Sequence, residues 1–158
     1  MRKTDLLTNR LPFEIFGKEH RRGWDQLSEK VLSTVEEYNK ENFDKGSYIT
    51  IGQVKEKWGR LEIYPHFTNV PAETVDKIWD MIKQVREESL NVCEECGTRE
   101  NVGMTQNMWY TVTCLDCLKK DVAVAKEQGL DYKTQREWKR NSDGKIFIVT
   151  PEGVTEKE

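Results

Sequence analysis

The hydrophobic positions of this chain fall into three helical stripes and several alternating runs. From Gly23-Trp24-Asp25 to about Asn39, Trp24, Leu27, Val31, Val35 and Tyr38 recur at steps of three and four, while Glu29, Lys30, Glu36 and Glu37 take the other face. That spacing predicts an amphipathic helix, stopped by Asn39, Asn42 and Gly46. A second helix is predicted to about Ser89. Pro71 suits its first position, Glu73 and Asp76 suit its positive end, and Val75, Ile78, Ile82 and Val85 form its stripe beside Trp79 and Met81. Leu118, Val122 and Ala125, closed by Gly129, predict a third. Trp24, Leu27, Val31, Val35, Ile78, Ile82 and Val85 are the expected core.

Between the first two helices the period drops to two. Residues 48–54 and 61–64 read as strands, and the glycine in Lys55-Glu56-Lys57-Trp58-Gly59-Arg60 suits a turn, so an antiparallel hairpin is expected. Its tip would present Lys55, Lys57, Trp58 and Arg60 together. Met108 to Thr113 is rich in β-formers. Tyr132 to Arg140 reads equally as strand or helix. Asn141-Ser142-Asp143-Gly144 signals a turn, Lys145 to Thr150 a strand ended by Pro151, and Glu152 to Glu158 a frayed tail. Residues 1–22 read as an irregular segment with a small solvated basic cluster, His20-Arg21-Arg22.

The expected class is α+β: an antiparallel hairpin or small sheet packed by two main helices, plus a zinc-ribbon-like module. Three stretches are expected within one compact unit. They are a helix–hairpin–helix core (1–90), a four-cysteine module with its following helix (91–130), and a C-terminal hairpin with the tail (131–158).

Composition narrows the class further. With 36% hydrophobic and 34% charged residues in 158, the chain carries no membrane-spanning run. A net charge of −3 lacks the broad basic footprint of a nucleic-acid binder, although local basic patches fit within it.

The strongest chemical signal is the cysteine spacing. All four cysteines lie in Cys93-x-x-Cys96-Gly97 and Cys114-x-x-Cys117, separated by residues 97–113. Two thiolates two residues apart grip one ion from a tight turn, and a second pair completes a tetrahedron. Soft sulfur donors favour zinc over magnesium or calcium, and four protein ligands leave no open position for a catalytic water. Cys93, Cys96, Cys114 and Cys117 are therefore expected to hold one structural Zn²⁺ per chain. A redox dithiol or an iron–sulfur cluster is the alternative. Met1 to Asp5 leads into no apolar run of secretory length, so disulfides are not expected and a cytoplasmic location is.

Catalytic motifs are missing from the sequence. His20 and His66 belong to none, and no phosphate loop, nucleophile elbow or H-E-x-x-H is present. The leading expectation is a non-catalytic interaction or regulatory protein with a protein partner. A nucleic-acid-binding ribbon protein is the alternative, and an enzyme of unassigned class is the third reading. Partner-binding candidates are Lys55, Lys57, Trp58 and Arg60 at the tip, with Trp109 and Tyr110 in the cysteine loop, where a tryptophan beside cations suits a base or an acidic surface.

Gly23-Trp24-x-x-Leu27, Gln53-Val54-Lys55-Glu56-Lys57-Trp58-Gly59-x-Leu61-x-x-Tyr64 and the two cysteine pairs together resemble a group of small, functionally uncharacterised bacterial and bacteriophage proteins. The likeness covers residues 23–117. Arg60 stands where that group's pattern has glycine, and the region after Leu130 reads as an addition. The group offers no activity to carry over. A phage origin would suit a small, highly charged protein acting on a host target, so a phage factor that binds and inhibits a host protein, such as a defence component, in the host cytoplasm is one form of the expected interaction protein.

Overall fold

The computed structural model describes residues 22–107 and 110–158. The expectations for residues 1–21, Met108 and Trp109 lie outside the described residues. The described chain is α+β, with antiparallel sheets, and divides into two compact units. One comprises residues 25–57 and 61–88; the other comprises 22–24, 58–60 and 89–158.

The first unit is built on α1 (Asp25–Asn42), β1 (Tyr48–Lys57), β2 (Arg60–Thr68) and α2 (Ala72–Ser89). The apolar stripes do what their spacing requires. Leu27, Val31 and Val35 of α1, Ile78, Ile82 and Val85 of α2, and Ile49, Ile51, Val54, Leu61 and Ile63 of the strands are all buried. Trp24, which groups with the second unit, is buried too. Each such aliphatic side chain contributes about 1.5–3 kcal/mol by leaving water.

Asn39 was expected only to mark a helix stop, yet it is 0% exposed inside α1. Its Nδ2 donates to the Ile49 carbonyl and its Oδ1 accepts from the Ile49 N–H, both at 2.8 Å. A two-stranded sheet leaves the outer edge of each strand bare, and this one carboxamide supplies the missing strand partner at Ile49.

The hairpin turn is tighter than expected. β1 runs through Lys57 and β2 starts at Arg60, leaving only Trp58 and Gly59 as the loop. Both have positive φ, 54° and 78°, which a two-residue turn of type I′ requires and which matches the right-handed twist of the strands. Lys55 and Lys57 therefore lie on a strand and not in the tip.

The second unit centres on a five-stranded antiparallel sheet of β3 (Val102–Thr105), β4 (Val112–Cys114), β5 (Arg136–Arg140), β6 (Ile146–Thr150) and β7 (Gly153–Glu156), in the order β4-β3-β5-β6-β7. Helix α3 (Leu115–Glu127) packs on it, burying Leu118 and Val122 against Trp138 and Val149. Three expectations are corrected or resolved here. The ambiguous stretch before Asn141 begins in a short 3-10 helix, Asp131–Lys133, and continues as a strand, β5. The stretch expected as a frayed tail forms β7, pairing Val154 with Val149 and Thr155 with Ile148. The β-formers after Met108 contribute only a short strand, and β3, which pairs Val102 with Cys114, was not expected at all. Because β5 also pairs with β3, no break in the sheet falls near residue 130.

Trp138 explains the register of that joint. It is 0% exposed, and its Nε1 donates to the Thr113 carbonyl at 3.0 Å. A Cβ on Gly103 would lie 2.5 Å from the Trp138 ring and 2.3 Å from the Lys139 carbonyl oxygen. Only glycine lets the indole lie flat across β3.

Candidate metal centre and aromatic groove

The four cysteine sulfurs all lie within 4.8 Å of one another. Cys96 Sγ and Cys114 Sγ are 3.8 Å apart. Tetrahedral zinc with bonds of about 2.3 Å sets its sulfurs about 3.8 Å apart, so the donor set fits such an ion in chemistry and in size.

Two different devices hold the pairs. The first is a backbone turn in which Gly97 N–H donates to the Cys93 carbonyl at 2.9 Å, with Gly97 at φ 80°. The second stands at a helix start. Cys114 caps α3, its sulfur accepting from the Cys117 N–H at 3.4 Å, and Cys117 lies in the first turn. The positive end of that helix favours thiolate charge. The hairpin of β3 and β4 brings the two devices together, helped by Glu94 N–H donating to the Val112 carbonyl at 3.0 Å.

The thiols respond unequally to this packing. Burial opposes ionisation of Cys93, but backbone N–H groups of Cys96, Cys114 and Glu95 outweigh it and bring its pKa down to about 7. Burial pushes Cys114 up to about 11, and the Cys93 charge adds to the rise. Cys117 is raised further still, by burial first and then by its sulfur neighbours. A metal ion held by the four sulfurs would offset the charge that ionising these thiols builds up.

Gly23, expected only to open a helix, and Trp24, expected in the core, both contact the first cysteine turn. Gly23 N–H donates to the Glu94 carbonyl at 2.8 Å, and Trp24 Nε1 donates to the Val92 carbonyl at 2.8 Å in a buried bond. A Cβ at position 23 would fall 2.0 Å from the Cys93 carbonyl oxygen and 2.6 Å from the Gly97 nitrogen. The spacing of Gly-Trp to the first cysteine pair carries no local signal, so only the fold reveals the contact.

The partner-binding candidates separate. Lys55 Nζ sits 5.4 Å from the Tyr64 ring centroid, and Lys57 is an exposed strand end. Trp58 is 72% exposed and Tyr110 41%, with ring centroids 6.5 Å apart. Trp109 lies outside the described residues. Trp58, Arg60 and Tyr110 line a groove of about 680 Å³, all within the second unit, together with Met104, Lys139 and Arg140. The basic pair at the end of β5 was missed. Its adjacent lysine and arginine before a turn were a visible signal, but not one that sequence alone connects to Trp58.

No helix among the described residues is long and apolar enough to cross a membrane. No family model matches the chain, and no curated protein or solved structure matches it either.

Proposed function

We propose that this chain is a zinc-stabilised, non-catalytic binding protein of the cytoplasm, working through the surface around Trp58. The observation that supports the reading is the set of four convergent sulfurs, enough to fill a tetrahedral shell with protein ligands alone. When bound, the ion neutralises the thiolates and ties the 93–97 turn to the start of α3. The residues around it do the rest: Cys114 fixes the helix start, and Gly97 allows the first turn. An exposed tryptophan at the tip of a two-residue turn suits recognition better than packing, since it adds nothing to the core.

Native mass spectrometry of the purified chain tests the metal, with one zinc per chain expected. Iron with visible absorption would overturn it. Capture from a lysate, with and without nuclease, tests the binding reading and separates protein from nucleic-acid partners. Zinc-loaded protein that captures no partner dependent on Trp58 would defeat it.

A further inference from the structure

The groove beside Trp58 has a chemistry that the metal centre does not explain. Its wall carries two aromatic rings and three cations, and among the described residues that line it none is acidic. In a chain of net charge −3 this is a local concentration. Arg140 is held by Asp143, its Nε donating to Oδ1 at 3.1 Å. Among the described residues Arg60 and Lys139 pair with no carboxylate, and both side chains are exposed. Two cations with no carboxylate partner among the described residues, beside an exposed indole, describe a site for a ligand that has both negative charge and flat apolar faces.

Backbone strain points the same way. Trp58 takes φ 54°, a region that costs a bulky residue roughly 1–3 kcal/mol and that asparagine or glycine adopts readily. Gly59 needs its own freedom because it has φ 78°; a Cβ there would meet only the movable end of a side chain, Met104 Cε at 2.9 Å. The turn would thus be more stable with a smaller first residue. What the tryptophan adds is an indole face held out beside Tyr110.

We propose that this groove binds single-stranded nucleic acid, a base stacking on Trp58 and flanking phosphates meeting Arg60 and Lys139. The proposal rests on the reading of the chain as a binding protein and names its partner class. An acidic protein surface would use the cations and could bury the indole, but a single strand offers phosphates and an open base face in one ligand. A duplex hides its bases, so it would engage the cations alone.

The test is fluorescence anisotropy of labelled ten-residue oligo(dT) and oligo(U) with the zinc-loaded full chain, the two probes separating DNA from RNA. Binding of either probe is expected, tighter than to a duplex of the same length. Trp58→Asn should weaken it about 5- to 150-fold, the effect of removing one stacked base. The melting temperature of that variant should hold or rise, because asparagine suits the turn. Arg60→Glu with Lys139→Glu should lower the salt slope by about 0.7 for each phosphate no longer neutralised. Equal binding by wild type and Trp58→Asn, or duplex bound as tightly as single strand, overturns the proposal. So does absence of oligonucleotide binding by folded, zinc-loaded protein. If that protein still captures a protein partner through Trp58 after nuclease treatment, the nucleic-acid inference fails and the binding-protein reading stands; if it captures nothing, both fail.

Discussion

Gly23→Ala adds one methyl group at a point where the structure has no room for it. The new Cβ would lie 2.0 Å from the Cys93 carbonyl oxygen, 2.6 Å from the Gly97 nitrogen and 2.7 Å from the Glu94 carbonyl carbon. All three neighbours are backbone, so no side chain can rotate away. Either residues 22–24 retreat, breaking the Gly23–Glu94 and Trp24–Val92 hydrogen bonds, or the 93–97 turn distorts and moves two ligands. Overpacking costs about 1–3 kcal/mol. Leaving the Val92 carbonyl without its buried indole partner costs about 1–3 kcal/mol more. The expected loss is therefore about 2–6 kcal/mol, or roughly 4–24 °C in melting temperature for a chain of this size. Two assays check it: thermal melting followed by tryptophan fluorescence, and the rate of zinc transfer to a chromogenic chelator. Both should change together. A variant that melts as wild type and holds zinc equally well would refute the coupling of the Gly-Trp pair to the metal turn.

Three further outcomes are expected. Asn39→Ala leaves the buried N–H and carbonyl of Ile49 without the carboxamide, at about 1–3 kcal/mol each, so urea unfolding should show a loss of about 2–6 kcal/mol; a loss under about 1 kcal/mol would mean water replaces the side chain. Cys96→Ser should abolish stoichiometric zinc and loosen the second unit, whereas far-ultraviolet circular dichroism of α1 and α2 should persist, because their buried stripes include no ligand. Zinc titration of metal-free protein should release protons. At pH 8, Cys93 (about 7) is mostly ionised while Cys114 (about 11) and Cys117 are protonated, so apparent affinity should rise at least about a hundredfold per pH unit from 8 to 9. The same shifts add a pH dependence to the metal-free fold. The contribution of depressed Cys93 is lost as pH falls through about 7, and that of raised Cys114 is lost as pH rises through about 11.

What could be read from the chain divides along a physical line. Periodicity is local, so Val31, Val35, Ile78 and Ile82 announced their burial through spacing alone, and Cys93 to Cys117 announced a ligand set through pair spacing. Contacts that depend on tertiary approach left no such trace. Asn39 looked like a helix terminator because asparagine often is one; its role depends on β1 arriving beside it. Gly103 and Trp138 are far apart in sequence and meet only because β3 pairs with β5. The tail beyond Pro151 looked frayed because a four-residue strand, Gly153–Glu156, is too short for alternation to register.

The hairpin around Trp58 and Gly59 was expected, but its tight two-residue turn went unread for a different reason. A two-residue hairpin is normally announced by asparagine or aspartate before glycine, and here tryptophan occupies that place. Local preference and observed geometry disagree at this exposed position, whereas the apolar stripes of the core follow theirs. Disagreement in a core would signal a poorly specified fold. At a tip that is 72% exposed, in a groove shared with Arg60 and Lys139, it costs stability without serving the packing. Sequences that specify their fold consistently elsewhere tend to break a local rule where something other than folding sets the residue. The same reasoning makes Trp58, and not the more deeply buried tryptophans at 24 and 138, the residue whose replacement separates function from stability.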